Sequence, residues 1–530
     1  MNLNLSERNK TWLGLFIILV AGFILNYNYE HRLDIVSDDD DLYFMFGMDY
    51  LKGKYRGPDD GALYCLWHLV IQLITNDSIK TFYWNWIVLT VVPFVAIFLL
   101  LRSLKVNIWI GLWLTLFFMF SELNYNLTPK LTHFAFIIIA LGLAYANTFQ
   151  KLTQKLTVIT FTALVASYVR PEMYVAALIF LAWLSIVSFR KKEYASALWT
   201  LAFIVIVGVV FGTPIRENDR SLWTFKVYFA IHYLEWNHDI KLSPWNHFNE
   251  INEQVFGRKI KSPFDAFFAE PKLVSMHIWE NIKLFTTLTT KFLKQIFFEQ
   301  WAFKYRKYLL VIGLFSLLYF TDFKNTWITI KNHFKTYWLY WTVLIIMLLP
   351  SLLTTTLLFP RAHYILYHIL FYLSLAGVIF SSIQFKKTNF TIPSFAVVTL
   401  NILLAGLFLW PHAQVSAQDK SMPNLEFAKM LQGLNLKNKV NLLGGDAPFS
   451  YNRFVGFDWV FFYHDIHRPK VFRDFVQKEK INCIVVNDKL NNFFSKDSTF
   501  QSFKANPSQL DFVLARKTNT HTVFTKKGAN

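Results

Sequence analysis

Apolar residues in this chain gather into runs of about twenty, closed off by Lys, Arg, Asn, Pro and Gly. Runs of that length read as membrane-crossing helices, because a helix satisfies its own backbone groups in lipid. Spans are expected near 12–29, 82–101, 107–123, 131–148, 156–169, 172–189, 196–213, 305–321, 336–358, 363–383 and 391–410, eleven in all. Residues 156–189 are too long for one untilted span and carry Arg170-Pro171-Glu172 at their middle. Proline stops one helix or starts the next, so two short helices meeting at Arg170 are expected there. Two further stretches, 42–51 and 62–74, are shorter and amphipathic with aromatic faces, the pattern of helices lying in the membrane interface.

Sidedness follows from the cations. The short loops at Arg102/Lys105, Lys151/Lys155, Arg190/Lys191/Lys192, Lys324/Lys331/Lys335 and Lys386/Lys387 are basic and are expected in the cytoplasm. The N-terminus is then cytoplasmic, and three large pieces lie outside: the loop 30–81, the loop 214–304, and everything after Trp410. Lys304, Arg306 and Lys307 break the charge rule, from which long loops are partly exempt. The first apolar segment has a basic lead-in, Arg8 and Lys10, and no small-residue cleavage site after it, so it is expected to be retained. Richness in Asn, Lys, Ile and Phe suggests an AT-rich bacterial genome, which would make the membrane a bacterial inner membrane and the outside periplasm.

After residue 410 the texture changes. Short β-branched runs at 440–443, 481–486 and 512–514 alternate with helical patterns at 424–434 and 471–479, which predicts a small α/β domain over 411–530 behind a transmembrane domain over 1–410. Gly444-Gly445-Asp446 follows its first strand; it lacks the full dinucleotide-binding fingerprint and reads as a tight turn.

Composition agrees with this frame: 54% of residues are hydrophobic and 17% charged. The net charge of +18 sits mostly at span ends, where cations set topology and meet anionic lipid, and no basic patch interleaved with base-stacking aromatics speaks for nucleic acid. Cys65 and Cys483 are too few and too far apart for a zinc motif or a disulfide framework.

Chemistry concentrates in the first outer loop, where Asp38, Asp39, Asp40 and Asp41 stand together. Ser37 or Asp38 could cap the helix beginning near Asp40, with the remaining acids complementing its positive end. Carboxylates this close also raise one another's proton affinity or recruit a cation, which suits a general base or a divalent metal site.

An acidic group just after the first span, an aromatic a few positions later, a surface helix ending in glycine and a second stretch with proline and tyrosine together resemble the GT-C glycosyltransferases. These are integral membrane enzymes that use polyprenyl-phosphate sugars, and the architecture is similar to the protein O-mannosyltransferases and the aminoarabinose transferases of lipid A. Tyr168-Val169-Arg170-Pro171-Glu172 and Phe359-Pro360-Arg361-Ala362-His363-Tyr364 are similar to elements of the same superfamily. Two departures stand out: four acids compete where the family has a pair, and its proline-proline-leucine element survives only as Asp59-Asp60-Gly61-Ala62-Leu63-Tyr64.

The resemblance implies an α-helical polytopic enzyme that transfers a sugar from a polyprenyl phosphate to a lipid, glycan or protein acceptor at the outer face, with inversion. It implies a general base within Asp38 to Asp41, Asp39 first and Asp40 next, and contacts to the donor phosphate from Arg170, Arg361, His363 and Tyr364. Tyr43, Asp59, Asp60, Tyr64 and Glu172 are the expected substrate-binding residues, and Mg or Mn at the acidic loop is the candidate cofactor. A multi-span transporter or a flippase for lipid-linked glycans would carry mid-chain charges too, and an oligosaccharide polymerase or ligase would share the topology.

Overall fold

The computed structural model describes residues 6–35, 39–51, 53–54, 61–125, 130–214, 219–238, 242–299, 315, 318–386, 394–416, 420–434, 436, 439–445, 454–455, 459–463, 467 and 469–528. It is mostly helical. Two compact units emerge, one made of 1–27, 54–66 and 86–416, the other of 28–53, 67–85 and 417–530.

The first unit is an apolar helix assembly of an integral membrane protein. In chain order the helices are α1 (Glu7–Asn26), α2 (Asp39–Leu51), α3 (Ala62–Thr75), α4 (Ser78–Ser103), α5 (Ile108–Met119), α6 (Leu131–Ala146), α7 (Leu152–Ser167), α8 (Met173–Lys191) and α9 (Tyr194–Phe211). Then come α10 (Asp219–Trp236), α11 (Pro244–Phe256), α12 (Pro263–Ala269), α13 (Pro271–Lys294), α14 (Phe323–Thr336), α15 (Trp338–Leu357), α16 (Ala362–Ser382) and α17 (Ser394–Ser416). Of these, α2 and the latter part of α3 belong to the second unit, as does the start of α4. Seven helices, α1, α4, α8, α9, α15, α16 and α17, are long and apolar enough to cross a membrane. The shorter α5, α6 and α7 occupy three more expected spans, and α7 and α8 part at Arg170-Pro171-Glu172 as the proline predicts. The remaining expected span, 305–321, lies outside the described residues except for 315 and 318–321.

Helix starts follow local chemistry. Ser6 accepts from the Asn9 amide at 3.2 Å to cap α1, and Asn107 accepts from Trp109 at 3.0 Å to cap α5. Some polar side chains inside the assembly pair across helices: Tyr340 with Ser374 at 2.7 Å, and Thr90 donating to Asn26 at 3.0 Å. Where α6 meets α7, Gly142 lies so close that an added Cβ would fall 2.1 Å from the Thr162 hydroxyl.

In the second unit a five-stranded sheet runs β2-β1-β3-β5-β4, from β1 (Val440–Gly444), β2 (Trp459–Tyr463), β3 (Cys483–Val486), β4 (Phe512–Lys517) and β5 (Thr522–Lys526). β1 pairs in parallel with β2 and β3, while β5 is antiparallel to β3 and β4. Its core is Leu443, Phe472, Ile484, Phe500, Phe503 and Phe524, all buried. Two parts of the first long loop, 28–53 and 67–85, are built into this unit. Asp34 accepts from the Asn424 and Leu425 amides at 3.0 and 2.8 Å and so caps the helix α18 (Pro423–Gln432) from almost 400 residues away in the chain. Phe44 and Phe82 pack on Phe454, and Tyr83 donates to the Leu33 carbonyl at 2.8 Å.

Gly142→Ala is expected to lower stability by about 1–3 kcal/mol, because Thr162 must move aside in a packed contact. At Gly406 nothing lies within 4 Å of the added Cβ. Gly406→Ala should therefore gain about 0.5–1 kcal/mol from helix propensity. Thermal unfolding in detergent measures both, and equal shifts of the two variants would contradict the close contact.

Candidate functional site

The turn between α7 and α8 sets Arg170. Its amide donates to the Ala166 carbonyl at 2.8 Å, its carbonyl accepts from Met173 at 3.0 Å, and the Tyr168 carbonyl accepts from Leu63 at the start of α3 at 3.0 Å. The residue is buried, and the guanidinium donates through Nε and Nη2 to one oxygen of Glu172, at 2.9 and 2.8 Å. Its carbon lies 4.4 Å from the Tyr364 ring centre and 5.9 Å from that of Tyr367. Among the described residues this buried arginine meets a carboxylate and two aromatic faces, a combination that makes a desolvated guanidinium tolerable.

Arg361 sits at the N-cap of α16 and is aimed by two helices from the long loop 214–304. Its Nε and Nη2 donate to the Tyr228 hydroxyl of α10 at 3.0 and 2.7 Å, and the Tyr228 ring stacks on Phe359 at 4.0 Å with 9° between planes. The carbonyls at the end of α15, left without intrahelical partners, are met from α13: Asn281 donates to Thr356 at 2.9 Å and Leu358 at 3.3 Å, and His277 Nε2 reaches Leu357 at 3.3 Å. His232 and His277 face each other at 2.9 Å through Nδ1. Burial pushes His277 down to about 3, so the pair stays neutral near pH 7, with His232 donating when His277 gives its Nε2 proton to Leu357. Among the described residues Arg361 has no carboxylate partner.

The start of α6 supplies a third cation. Lys130 is fully buried, with its ammonium 4.0 Å over the Trp86 ring and donating to the Asn124 carbonyl. One turn on, His133 is 1% exposed and neither ring nitrogen bonds a described residue. His133 lies within electrostatic range of Lys130 and His363, and His363 within range of Arg170 and Arg361. His363 thus has buried Arg170 and half-buried Arg361 near it, Lys130 is linked to them through His133, and Glu172 is the carboxylate described there.

Of the residues singled out from sequence, Arg170, Glu172, Arg361, His363 and Tyr364 gather here, with the His363 and Tyr364 rings 4.3 Å apart. Tyr64 is fully buried in the same unit, 5.6 Å from the Phe134 ring. Tyr43 is buried on α2 in the second unit. Asp39, Asp40 and Asp41 open α2, their side chains outside the description; Asp38, Asp59 and Asp60 lie outside the described residues altogether. Among the described residues no three His, Cys, Asp or Glu side chains come together as a metal site. Sequence reasoning passed over Lys130, His133 and Tyr228. Lys130 did carry a signal: it is a lone cation in a loop that the charge rule expects to lie outside.

No protein-family model matches the chain, and no curated protein matches it by sequence. Among solved structures it is similar to ArnT from Cupriavidus metallidurans bound to undecaprenyl phosphate, at 12% identity and a TM-score of 0.47, covering 99% of each chain. It is similar to the archaeal oligosaccharyltransferase AglB from Archaeoglobus fulgidus in complex with an inhibitory peptide and a dolichol-phosphate, at 9% identity and 0.37, over 91% of this chain and 70% of that one. ArnT in the apo state gives 11% and 0.35 over 97% of both chains.

If Tyr228 aims Arg361, Tyr228→Phe and Arg361→Ala should not be additive. Each is expected to lower stability, and the double variant should fall short of their sum by about 1 kcal/mol or more. Thermal unfolding of the four proteins in detergent reads this directly, and simple additivity would contradict the contact.

Proposed function

We propose that the chain is a GT-C-type glycosyltransferase that moves a sugar from a polyprenyl phosphate to an acceptor at the outer, periplasmic face of a bacterial inner membrane. The observation that carries this reading is half-buried Arg361, held by the Tyr228 hydroxyl with no carboxylate partner among the described residues, with the buried Arg170–Glu172 pair in the same neighbourhood. Lys130 and Arg361 also stand at the N-termini of α6 and α16, where the helix dipole is already positive. A cation such as Arg361 at a positive helix end, with no described carboxylate beside it, favours an anion joining it, and a lipid phosphate is an anion that a membrane-embedded site can receive.

In the proposed reaction the acceptor hydroxyl attacks the anomeric carbon in line and inverts it. The new carbon–oxygen bond forms as the bond to the phosphate oxygen breaks, the hydroxyl proton passes to a carboxylate of the acidic loop, and the lipid phosphate leaves with the electron pair. Asp39, with Asp40 next, is the proposed base. Arg361 and Lys130 would stabilise the phosphate charge as it develops, with Arg170 held in place by Glu172 and Tyr364. Asp38 to Asp41 are also hard oxygen donors of the kind Mg or Mn prefers.

Purified protein offered a panel of polyprenyl-phosphate sugars should release sugar from lipid. Changing Asp38, Asp39, Asp40 and Asp41 together to Asn should slow release by roughly 10²-fold or more while donor binding survives. Arg361→Ala should instead weaken donor use by roughly tenfold or more, since a charge-assisted bond contributes about 1.5–3 kcal/mol, and Arg361→Lys should recover part of it. A folded quadruple variant that works at the wild-type rate would contradict the base assignment, and full donor affinity in Arg361→Ala would contradict the phosphate contact.

A further inference from the structure

The loop helices α10 and α11 and the turn after them line an open cavity of about 510 Å³. Trp223, Lys226, Phe248, Asn249, Lys259 and Lys261 line it, with Glu253 the one acid. Lys226 is the telling residue. It is 7% exposed, its ammonium makes a single long contact of 3.4 Å to the Asn249 amide oxygen, and no described carboxylate pairs with it. A lysine with so weak a partner, lining the cavity, offers its charge to an anion bound there. Lys259 and Lys261 stand exposed at the rim, on a lip that is already built. There Asp265 pairs with Arg258 and accepts from the Lys261 amide at 3.0 Å, while Ser262 caps α12.

The second feature is aromatic. Trp223 packs edge-on to Phe248 at 6.0 Å and lies 6.2 Å from Trp245, which lies 6.1 Å from Tyr228, the residue that holds Arg361. Both tryptophans keep large exposed faces, 40% for Trp223 and 51% for Trp245. A row of rings thus leads from the lysine cavity to the arginine of the candidate site.

From this we infer that the cavity on α10 and α11 is the acceptor-binding site, and that the acceptor is a glycan bearing an anionic sugar. Apolar ring faces receive the C–H face of a pyranose, and Lys226, Lys259 and Lys261 take its phosphate or carboxylate. A neutral sugar would leave Lys226 uncompensated. The assignment of an acceptor rests on the transferase reading above; the anion and sugar chemistry of the cavity does not.

Ligand-observed NMR on the purified full chain tests it without any donor present. The probes are N-acetylglucosamine 6-phosphate, glucuronic acid, N-acetylglucosamine and inorganic phosphate, with phosphatidylglycerol vesicles as a separate arm. The charged sugars should bind at least roughly tenfold more tightly than the neutral sugar and than inorganic phosphate, and lose that preference in Lys226→Met and Trp223→Ala. Because a core lysine could matter for folding, the surface pair Lys259→Ser/Lys261→Ser is included and should weaken the charged sugars alone. Equal binding of neutral and charged sugars, binding of bare phosphate as tight as of sugar phosphate, a charge preference that survives all three variants, or binding to anionic vesicles only would each overturn the inference. If charged sugars bind but no lipid-linked donor is turned over, it is the transferase reading that fails, and the cavity stands as an anionic-sugar site.

Discussion

Burying positive charge inside an apolar helix assembly is the constraint on which the rest of this structure turns. Each guanidinium or ammonium taken out of water costs several kcal/mol unless partners replace its hydration. The chain meets that cost at Arg170 with Glu172 and two tyrosine faces, at Lys130 with Trp86 and a carbonyl, and at Arg361 with Tyr228. Among the described residues Arg361 has no countercharge. What the protein leaves electrostatically incomplete, a bound phosphate would complete, and this is why the reading points to an anionic substrate and away from a purely structural role for the cations.

The long loop 214–304 serves that arrangement. α10 supplies Tyr228, and α13 supplies Asn281 and His277, which occupy the open carbonyls of α15 and so fix the turn that ends in Arg361. The neutral His232–His277 pair lets two imidazoles be buried among Phe225 and Phe229 without importing more charge. In the second unit the same economy holds: Asp34 spends its carboxylate on two helix amides of α18, tying the first loop to the C-terminal sheet domain.

Much of the helical architecture was legible because lipid imposes a length and a composition that appear directly in sequence. The break at Arg170-Pro171-Glu172 could be read from proline and from the charge of both flanks, and β1, β3 and β4 from their β-branched runs, whereas β2 and β5 were not read from the sequence. Arg170 and the Arg361–Tyr364 stretch, nearly 200 residues apart, meet through the Tyr364 ring. Lys130 and Tyr228 could not be read in the same way. A lysine at a span end is usually an interfacial anchor, and a tyrosine on an amphipathic loop helix has no local signature; both gain meaning only from packing against Trp86 or Arg361. Nor could sequence show that the first loop joins the C-terminal domain, since the Asp34 cap bridges segments almost 400 residues apart.

The central claim is that the cluster of Lys130, Arg170 and Arg361 exists to hold a lipid phosphate. Native mass spectrometry of the full chain released from nanodiscs, loaded with either a polyprenyl monophosphate or the polyprenol of the same chain length, tests it most directly. The account predicts that the phosphate form stays bound and the alcohol does not, and that Lys130→Met abolishes the difference. Equal retention of polyprenol and polyprenyl phosphate by the wild-type chain would contradict it.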